Sequence, residues 1–464
     1  MKKLLLLFLI AAVAISAYAR QDASKKAVDE FVSLFNEKKF SEIYVNFAPS
    51  FKLQVPEAAG VGLMSQVFTG VGRLESSSFV SETNGRFNYL LKGTQANISL
   101  QFDLTEGKLD KVRISPATAP QNVNQPVIAP LKNDNPLVSG IDKAIEAGLG
   151  NLQKSRRLVG MAVGVLEAGK TTYYGYGETV KGNGIIPANN SIFDIGSISK
   201  TFTAYLLASL VIESKLDLNS RLDKYFRGLD PRVGAITVKQ LANHTSGLPN
   251  MGAIPINGIT GRDPNEQYTA LDLENGLKNV QLNSEPGVSF GYSNLGYATL
   301  GYIIEKAGKQ TYTQMLEKYI LKPYGMHNTF YRIPVKLAAS LRGYDENGSE
   351  KDYLSLQAYG PAGNIKSTTE DILKYAQLIM SDDKAASLTR QITFTPEKGN
   401  KVGLSWIVIP MNNKEFIFHN GATIGYRSYL AIHPDTKKAL VILNNSANDV
   451  TPVGMQLMGF FLSN

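Results

Sequence analysis

Ser197 and Lys200 stand three residues apart in the stretch Phe193-Asp194-Ile195-Gly196-Ser197-Ile198-Ser199-Lys200-Thr201. At the start of a helix, that spacing puts both side chains on one face, about one turn apart. A serine hydroxyl is a poor nucleophile at its free pKa. A desolvated lysine within hydrogen-bond reach can act as its base, provided burial lowers the lysine's own pKa. The four-residue pattern is not specific alone. Ser381-Asp382-Asp383-Lys384 repeats it in what reads as a solvated turn, and Ser197 with Lys200 also fits an N-cap serine followed by a solvated lysine. Four more stretches carry chemistry-bearing residues. Tyr292-Ser293-Asn294 opens a second helical segment, and His419-Asn420-Gly421-Ala422 ends a strand-like run. His244-Thr245-Ser246-Gly247 follows a helix, and Gly360-Pro361-Ala362-Gly363-Asn364 precedes one.

The elements that must hold these residues follow from periodicity. Thr201 to Glu213 is rich in Leu, Ala, Phe and Tyr and lacks Gly and Pro, which predicts a buried helix running on from Ser197. Val159 to Leu166 and Lys170 to Tyr176 read as a hairpin turning at Glu167-Ala168-Gly169. Strands return at 403–409, 416–419, 427–433 and 438–444, and helices are expected at 137–152 and 452–462. Strands at both ends with helices between them imply one sheet built from both ends of this region, with a helical middle. Residues 248–291 are irregular and rich in Gly, Pro and Asn, the composition of a functional loop or of solvated surface.

Taken in this order and at these separations, Ser197-x-x-Lys200, Tyr292-x-Asn294 and His419-Asn420-Gly421 resemble the serine hydrolases of the penicillin-binding-protein and class C β-lactamase family. The resemblance covers Leu137 to the C-terminus. It implies an α/β (α+β) sandwich of about five antiparallel strands flanked by helices, with a helical subdomain. It implies that Ser197 is acylated, that Lys200 exchanges protons with it, and that Tyr292 acts as a second acid/base. Asn294 would bind a substrate amide or orient Lys200. His419, Asn420 and Gly421 would line the substrate cleft, and the N–H groups of Ser197 and Ala422 would form the oxyanion hole. The family's class C members usually carry Lys-Thr-Gly where this chain has His-Asn-Gly. A histidine there resembles the carboxypeptidase, D-aminopeptidase and esterase-like branches and implies a weaker, pH-dependent charge for a substrate carboxylate. A Ser-His-Asp triad is the rival serine mechanism.

The expected activity is hydrolysis of an amide or ester through an acyl-enzyme, on a D-amino-acid peptide or a β-lactam. A small-ester esterase is the enzymatic alternative, and a non-catalytic receptor or cell-wall binding protein the alternative of another class. The partner is a small-molecule or peptide substrate, with cell-wall peptides among the candidates. No cofactor or metal is expected: the four histidines are scattered, and the chain of 464 residues has no cysteine, hence no disulfide and no thiolate site. A net charge of +8 without any Lys/Arg block argues against nucleic acid. Lys2 and Lys3, the apolar run Leu4 to Ile15 and Ala17-Tyr18-Ala19 read as a secretion signal cleaved after Ala19, which makes the protein periplasmic or secreted with no membrane span afterwards. Residues 20–115 read as a small α+β domain of unknown role, with helices near 27–35 and 58–69 and strands at 86–91, 97–104 and 108–114. Residues 116–136 read as a proline-rich linker, and 137–464 as the hydrolase domain.

Overall fold

The computed structural model describes residues 21–52, 57–83, 85–117, 131–155, 158–252, 264–338, 340–345, 348–397 and 399–463. The expected secretion signal, most of the expected linker and residues 253–263 lie outside them. The chain forms two compact units, Met1–Val127 and Ile128–Asn464.

In the first unit, helical residues 21–36, Phe40–Val45 and Glu57–Val71 precede four antiparallel strands in sequential order: Leu74–Thr83, Arg86–Gly93, Asn97–Thr105 and Lys108–Ala117. Alternation decides which faces are buried. Phe87, Tyr89 and Leu91 face the core beside Ile98, Leu100 and Phe102, and Val28, Phe31 and Phe35 supply one stripe of the first helix. The α+β reading holds, with two corrections. The strand Leu74–Thr83 was not expected, because Ser76, Ser77 and Ser78 dilute its apolar pattern. The last strand also continues to Ala117, with Pro116 opposite Ile98 on an edge that tolerates proline.

The second unit is built on a six-stranded antiparallel sheet, one strand more than expected. Its order is Ile407–Met411, Lys414–Ala422, Arg427–His433, Lys438–Asn444, Gly160–Glu167, Lys170–Gly177. The two ends of the unit meet where Val441 pairs with Gly164. The hairpin turn places Ala168 and Gly169 at φ of 50° and 77°, the doubly left-handed geometry that suits strand twist. Residues 131–136 belong to this unit rather than to a tether: Asn133 bridges to Tyr176, and the Asn135 amide donates to the Tyr176 hydroxyl at 2.7 Å.

Alternating side chains split the sheet's two faces. Met161, Val163, Phe418, Tyr429 and Ile442 pack against the helices Gly140–Ser155 and Thr451–Ser463. Ile417, Leu430, Ile432, Val441 and Leu443 face the larger helical layer. At the centre of that layer lies the helix Ser199–Ile212, buried on all sides from Ser199 to Leu210, as its uniformly apolar sequence requires. The Phe202 ring stacks on Tyr375 of the helix Thr369–Ile379 at 3.9 Å between centroids. Each such aromatic or leucine side chain contributes about 1.5–3 kcal/mol on burial, so the start of this helix is firmly placed. Trp406 is fully buried in the same core.

Candidate active site

The chain enters the central helix through a single turn, Gly196–Ile198. Gly196 has φ of 49°, and a Cβ there would fall 2.8 Å from the backbone nitrogen of Ala422. A Cβ on Gly421 would fall 2.1 Å from the carbonyl oxygen of Ile195. The two glycines therefore let the serine turn and the strand Lys414–Ala422 meet backbone to backbone. Ser428, on the next strand, donates its hydroxyl to the same Ile195 carbonyl at 2.8 Å. Gly421→Ala is accordingly expected to lower stability by about 1–3 kcal/mol and to slow modification of Ser197, as a denaturation midpoint and an acylation time course would show.

Around Ser197 the hydrogen bonds form a closed set. The Tyr292 hydroxyl lies 2.8 Å from Ser197 Oγ, and Lys200 Nζ lies 3.1 Å from it. Lys200 Nζ also donates to Asn294 Oδ1 and to the backbone carbonyl of Ala362, both at 2.7 Å. The Asn294 amide is oriented by donating its Nδ2 to Asn250 Oδ1 at 2.8 Å, which leaves its oxygen for the lysine. Lys200 is fully buried, and no carboxylate is among these partners. Burial pushes its pKa well below the ordinary lysine value. The three oxygens match the three N–H groups of the ammonium, and loss of one proton leaves two N–H groups for the carbonyls and a lone pair facing Ser197 Oγ. Burial also raises the Tyr292 phenol to about 12, so it is a neutral donor to Ser197 Oγ.

Tyr292 is held from three directions. Ser293 caps the helix Asn294–Gly308 by accepting the Gly296 N–H at 2.8 Å, and donates its hydroxyl to the Pro249 carbonyl. The ring of His244 stacks on Tyr292 at 4.5 Å between centroids. His244 Nδ1 accepts the Ser293 N–H at 3.1 Å, so this ring is neutral, and burial keeps its pKa far below the usual histidine value. His244 thus clamps the tyrosine. His327 and His433 take no part in this cluster.

Ser197, Lys200, Tyr292 and Asn294, singled out from sequence, come together. Gly421 and Ala422 reach the turn through their backbones. His419 and Asn420 depart from expectation. His419 faces the helical layer but is buried. Its Nδ1 lies 2.7 Å from the Asn420 carbonyl, which can only accept, so Nδ1 carries the proton. Burial, and then the nearby Lys200, push its pKa down to about 3, and it offers no charge for a carboxylate. Asn420 points to the opposite face of the sheet, where its amide donates to the Thr451 hydroxyl at 3.1 Å. Gly287-Val288-Ser289-Phe290-Gly291 has the spacing of a nucleophile elbow, but Ser289 sits in an exposed bend rather than between a strand and a helix, so this stretch does not supply the elbow.

Sequence reasoning missed the partners that hold the lysine. Ala362 contributes only a carbonyl, and its segment was noted without a role. Asp194, in the short strand before Gly196, forms a buried ion pair with Lys366 at 3.3 Å and accepts the Leu354 N–H at 3.1 Å. Burial raises the Asp194 pKa against the opposing attraction of Lys366. Lys366 also donates to the Leu354 carbonyl and to both oxygens of Asn364. This network ties the serine strand to the segment that carries Ala362. Among the described residues, no helix is long and apolar enough to cross a membrane, and no cluster of three or more His, Cys, Asp or Glu could hold a metal ion.

Comparison with known proteins adds relatives to this geometry. Protein flp of Staphylococcus aureus strain MW2 is 28% identical over 333 residues, covering 67% of this chain and 64% of that protein. Penicillin-binding protein 4* of Bacillus subtilis strain 168 is 28% identical over 305 residues, covering 60% of this chain and 65% of that protein. The chain therefore spans less than two thirds of the length of these relatives. A class C β-lactamase solved in complex with cefoxitin superposes with a TM-score of 0.62 at 23% identity, over 69% of this chain and 98% of that one. The D-alanine carboxypeptidase AmpC of Burkholderia cenocepacia gives 0.60 at 22%, over 69% and 99%. Both likenesses fix the fold. The β-lactamase family model matches residues 141–456, more than half of the chain, and with it the chain belongs to the β-lactamase family of serine hydrolases, the group that includes penicillin-binding proteins and class C enzymes.

Proposed function

We propose that this chain is an exported hydrolase that cleaves an amide or ester by acyl transfer through Ser197, with a D-amino-acid peptide or a β-lactam as substrate. The observation that carries the proposal is the position of Ser197 Oγ, between a buried lysine at 3.1 Å and a neutral tyrosine hydroxyl at 2.8 Å. Lys200 takes the Ser197 proton as Oγ attacks the substrate carbonyl. The N–H groups of Ser197 and Ala422, brought close by Gly196 and Gly421, receive the oxyanion, aided by the positive end of the central helix. Tyr292 gives its proton to the departing nitrogen or oxygen, and the proton held on Lys200 restores the phenol. Water then attacks the acyl-enzyme by the reverse route and frees Ser197. Asn294 positions Lys200 through its carbonyl.

One observation favours a second reading, an esterase or amidase for substrates without a carboxylate. The buried, neutral His419 leaves that wall of the cleft without the cation that a β-lactam or a free peptide terminus would need. Following intact mass after mixing with a penicillin, with Ser197→Ala as control, separates the readings. A lasting adduct that Ser197→Ala abolishes is expected for a penicillin-binding peptidase, and loss of penicillin without an adduct for a β-lactamase. If neither occurs, while an uncharged ester acylates Ser197, the second reading stands. Failure of every ester, amide and β-lactam to modify Ser197 would overturn the mechanism and leave a non-catalytic binding protein. Export is tested by the mature N-terminus, expected at Arg20.

A further inference from the structure

A second cavity, of about 380 Å³, lies within the helical layer. Its lining contains none of Ser197, Lys200, Tyr292 or Asn294. Three tyrosines form its aromatic walls: Tyr302, Tyr312 and Tyr331. The Tyr312 and Tyr331 rings lie 4.5 Å apart between centroids, and Pro361 forms part of the floor. Two opposite charges, Glu305 and Arg332, stand on its rim. Both line the cavity together with Tyr331 and act on its phenol in opposite senses. Yet they do not pair with each other. Arg332 makes no ion pair or side-chain hydrogen bond among the described residues. Among the described residues, Glu305 accepts the Tyr312 N–H through Oε1 at 2.7 Å, and Oε2 has no partner there.

A ligand that matches this rim carries an ammonium and a carboxylate on one small frame, because each charge then meets its opposite. Charge-assisted hydrogen bonds of this kind, bidentate at an arginine, are the strong and geometrically selective ones. The aromatic walls accept an aliphatic or ring side chain.

The cavity also abuts the machinery that holds Lys200. The Tyr312 hydroxyl lies 2.7 Å from Thr203 Oγ1, and Thr203, one helical turn beyond Lys200, donates to the Pro361 carbonyl at 2.6 Å. The next carbonyl, that of Ala362, is the one that accepts from Lys200. We propose that this cavity is a second binding site for a free amino acid or dipeptide zwitterion, held between Glu305 and Arg332, and that its occupancy adjusts the reactivity of Ser197 through Pro361 and Ala362.

The site is distinct from the acyl-transfer centre, so binding is measured without turnover. Calorimetry on the full chain carrying Ser197→Ala uses alanine and alanylalanine of both configurations, against their N-acetylated and amidated forms. The zwitterions are expected to bind at least ~10-fold more tightly than either blocked form. Arg332→Gln and Glu305→Gln should each cost ~10-fold or more, with Arg332→Lys recovering most of the loss. In the unsubstituted protein, saturating zwitterion should change the rate constant for acylation by an uncharged ester while leaving the ester's KM unchanged. No binding, equal binding of blocked forms, indifference to Arg332→Gln, or purely competitive behaviour against the ester would each overturn the proposal. If no ester acylates Ser197, the acyl-transfer reading fails, and the calorimetry still decides for or against the cavity.

Discussion

Lys200→Met will slow acylation of Ser197 on the order of 10³-fold, because it removes the general base and leaves the nucleophile hydrogen-bonded only to the Tyr292 donor. Methionine fills a similar volume and adapts to irregular space, so the fold survives and the loss is chemical. A time course of intact mass with any acylating substrate measures it. The same pair of proteins tests whether Lys200 is neutral. Its native pKa lies below the ordinary value of 10.5, so between the native pKa and 10.5 the unfolded chain binds a proton that the folded chain does not. Unfolding free energy then rises with pH across that window. The wild type should therefore gain on Lys200→Met in urea midpoint as pH rises from 6 toward 10. The carbonyls of Asn294 and Ala362 lose their donor in the variant, which adds a penalty of about 1–3 kcal/mol per group, but one that does not depend on pH. Only the slope is diagnostic. A flat difference would mean that Lys200 is charged in the native protein and is not the base.

What the sequence made legible was whatever is encoded locally. Ser197 and Lys200 share a helix face by spacing, and Tyr292 and Asn294 flank the Ser293 cap, so their types and offsets carried the information. The central helix was legible because an uninterrupted apolar run leaves it no exposed face. Asn420 was misread because two adjacent strand residues were assigned to one cleft, whereas the pleat sends its side chain to the face opposite His419. The Ala362 carbonyl had no signature at all, since every residue offers one and only the tertiary fold selects it. Asp194 and Lys366 are separated by 172 positions, and nothing local joins them. Such pairs are visible only once the strand Phe193–Asp194 is seen to lie beside Lys366–Ser367.

Asp194→Ala will cost stability of about 3–5 kcal/mol, because it strands a buried ammonium among carbonyl oxygens without its counter-charge. Urea denaturation measures the loss. An ion pair of this kind is weak support for stability in itself, since desolvation of both charges offsets much of their attraction. The double variant Asp194→Leu with Lys366→Met should therefore regain most of what the single variant loses. Acylation should behave differently. Asp194 accepts the Leu354 N–H, and Lys366 grips the Leu354 and Asn364 carbonyls, so the pair also sets where Ala362 presents its carbonyl to Lys200. Restoring apolar packing does not restore those bonds. The double variant is thus expected to be stable yet at least about ten-fold slow to acylate. A double variant that recovered both stability and rate would reduce the pair to an element of the core. One that recovered stability alone would show that a charge pair with little net effect on folding is retained here because it aims the carbonyl that keeps Lys200 pointed at Ser197.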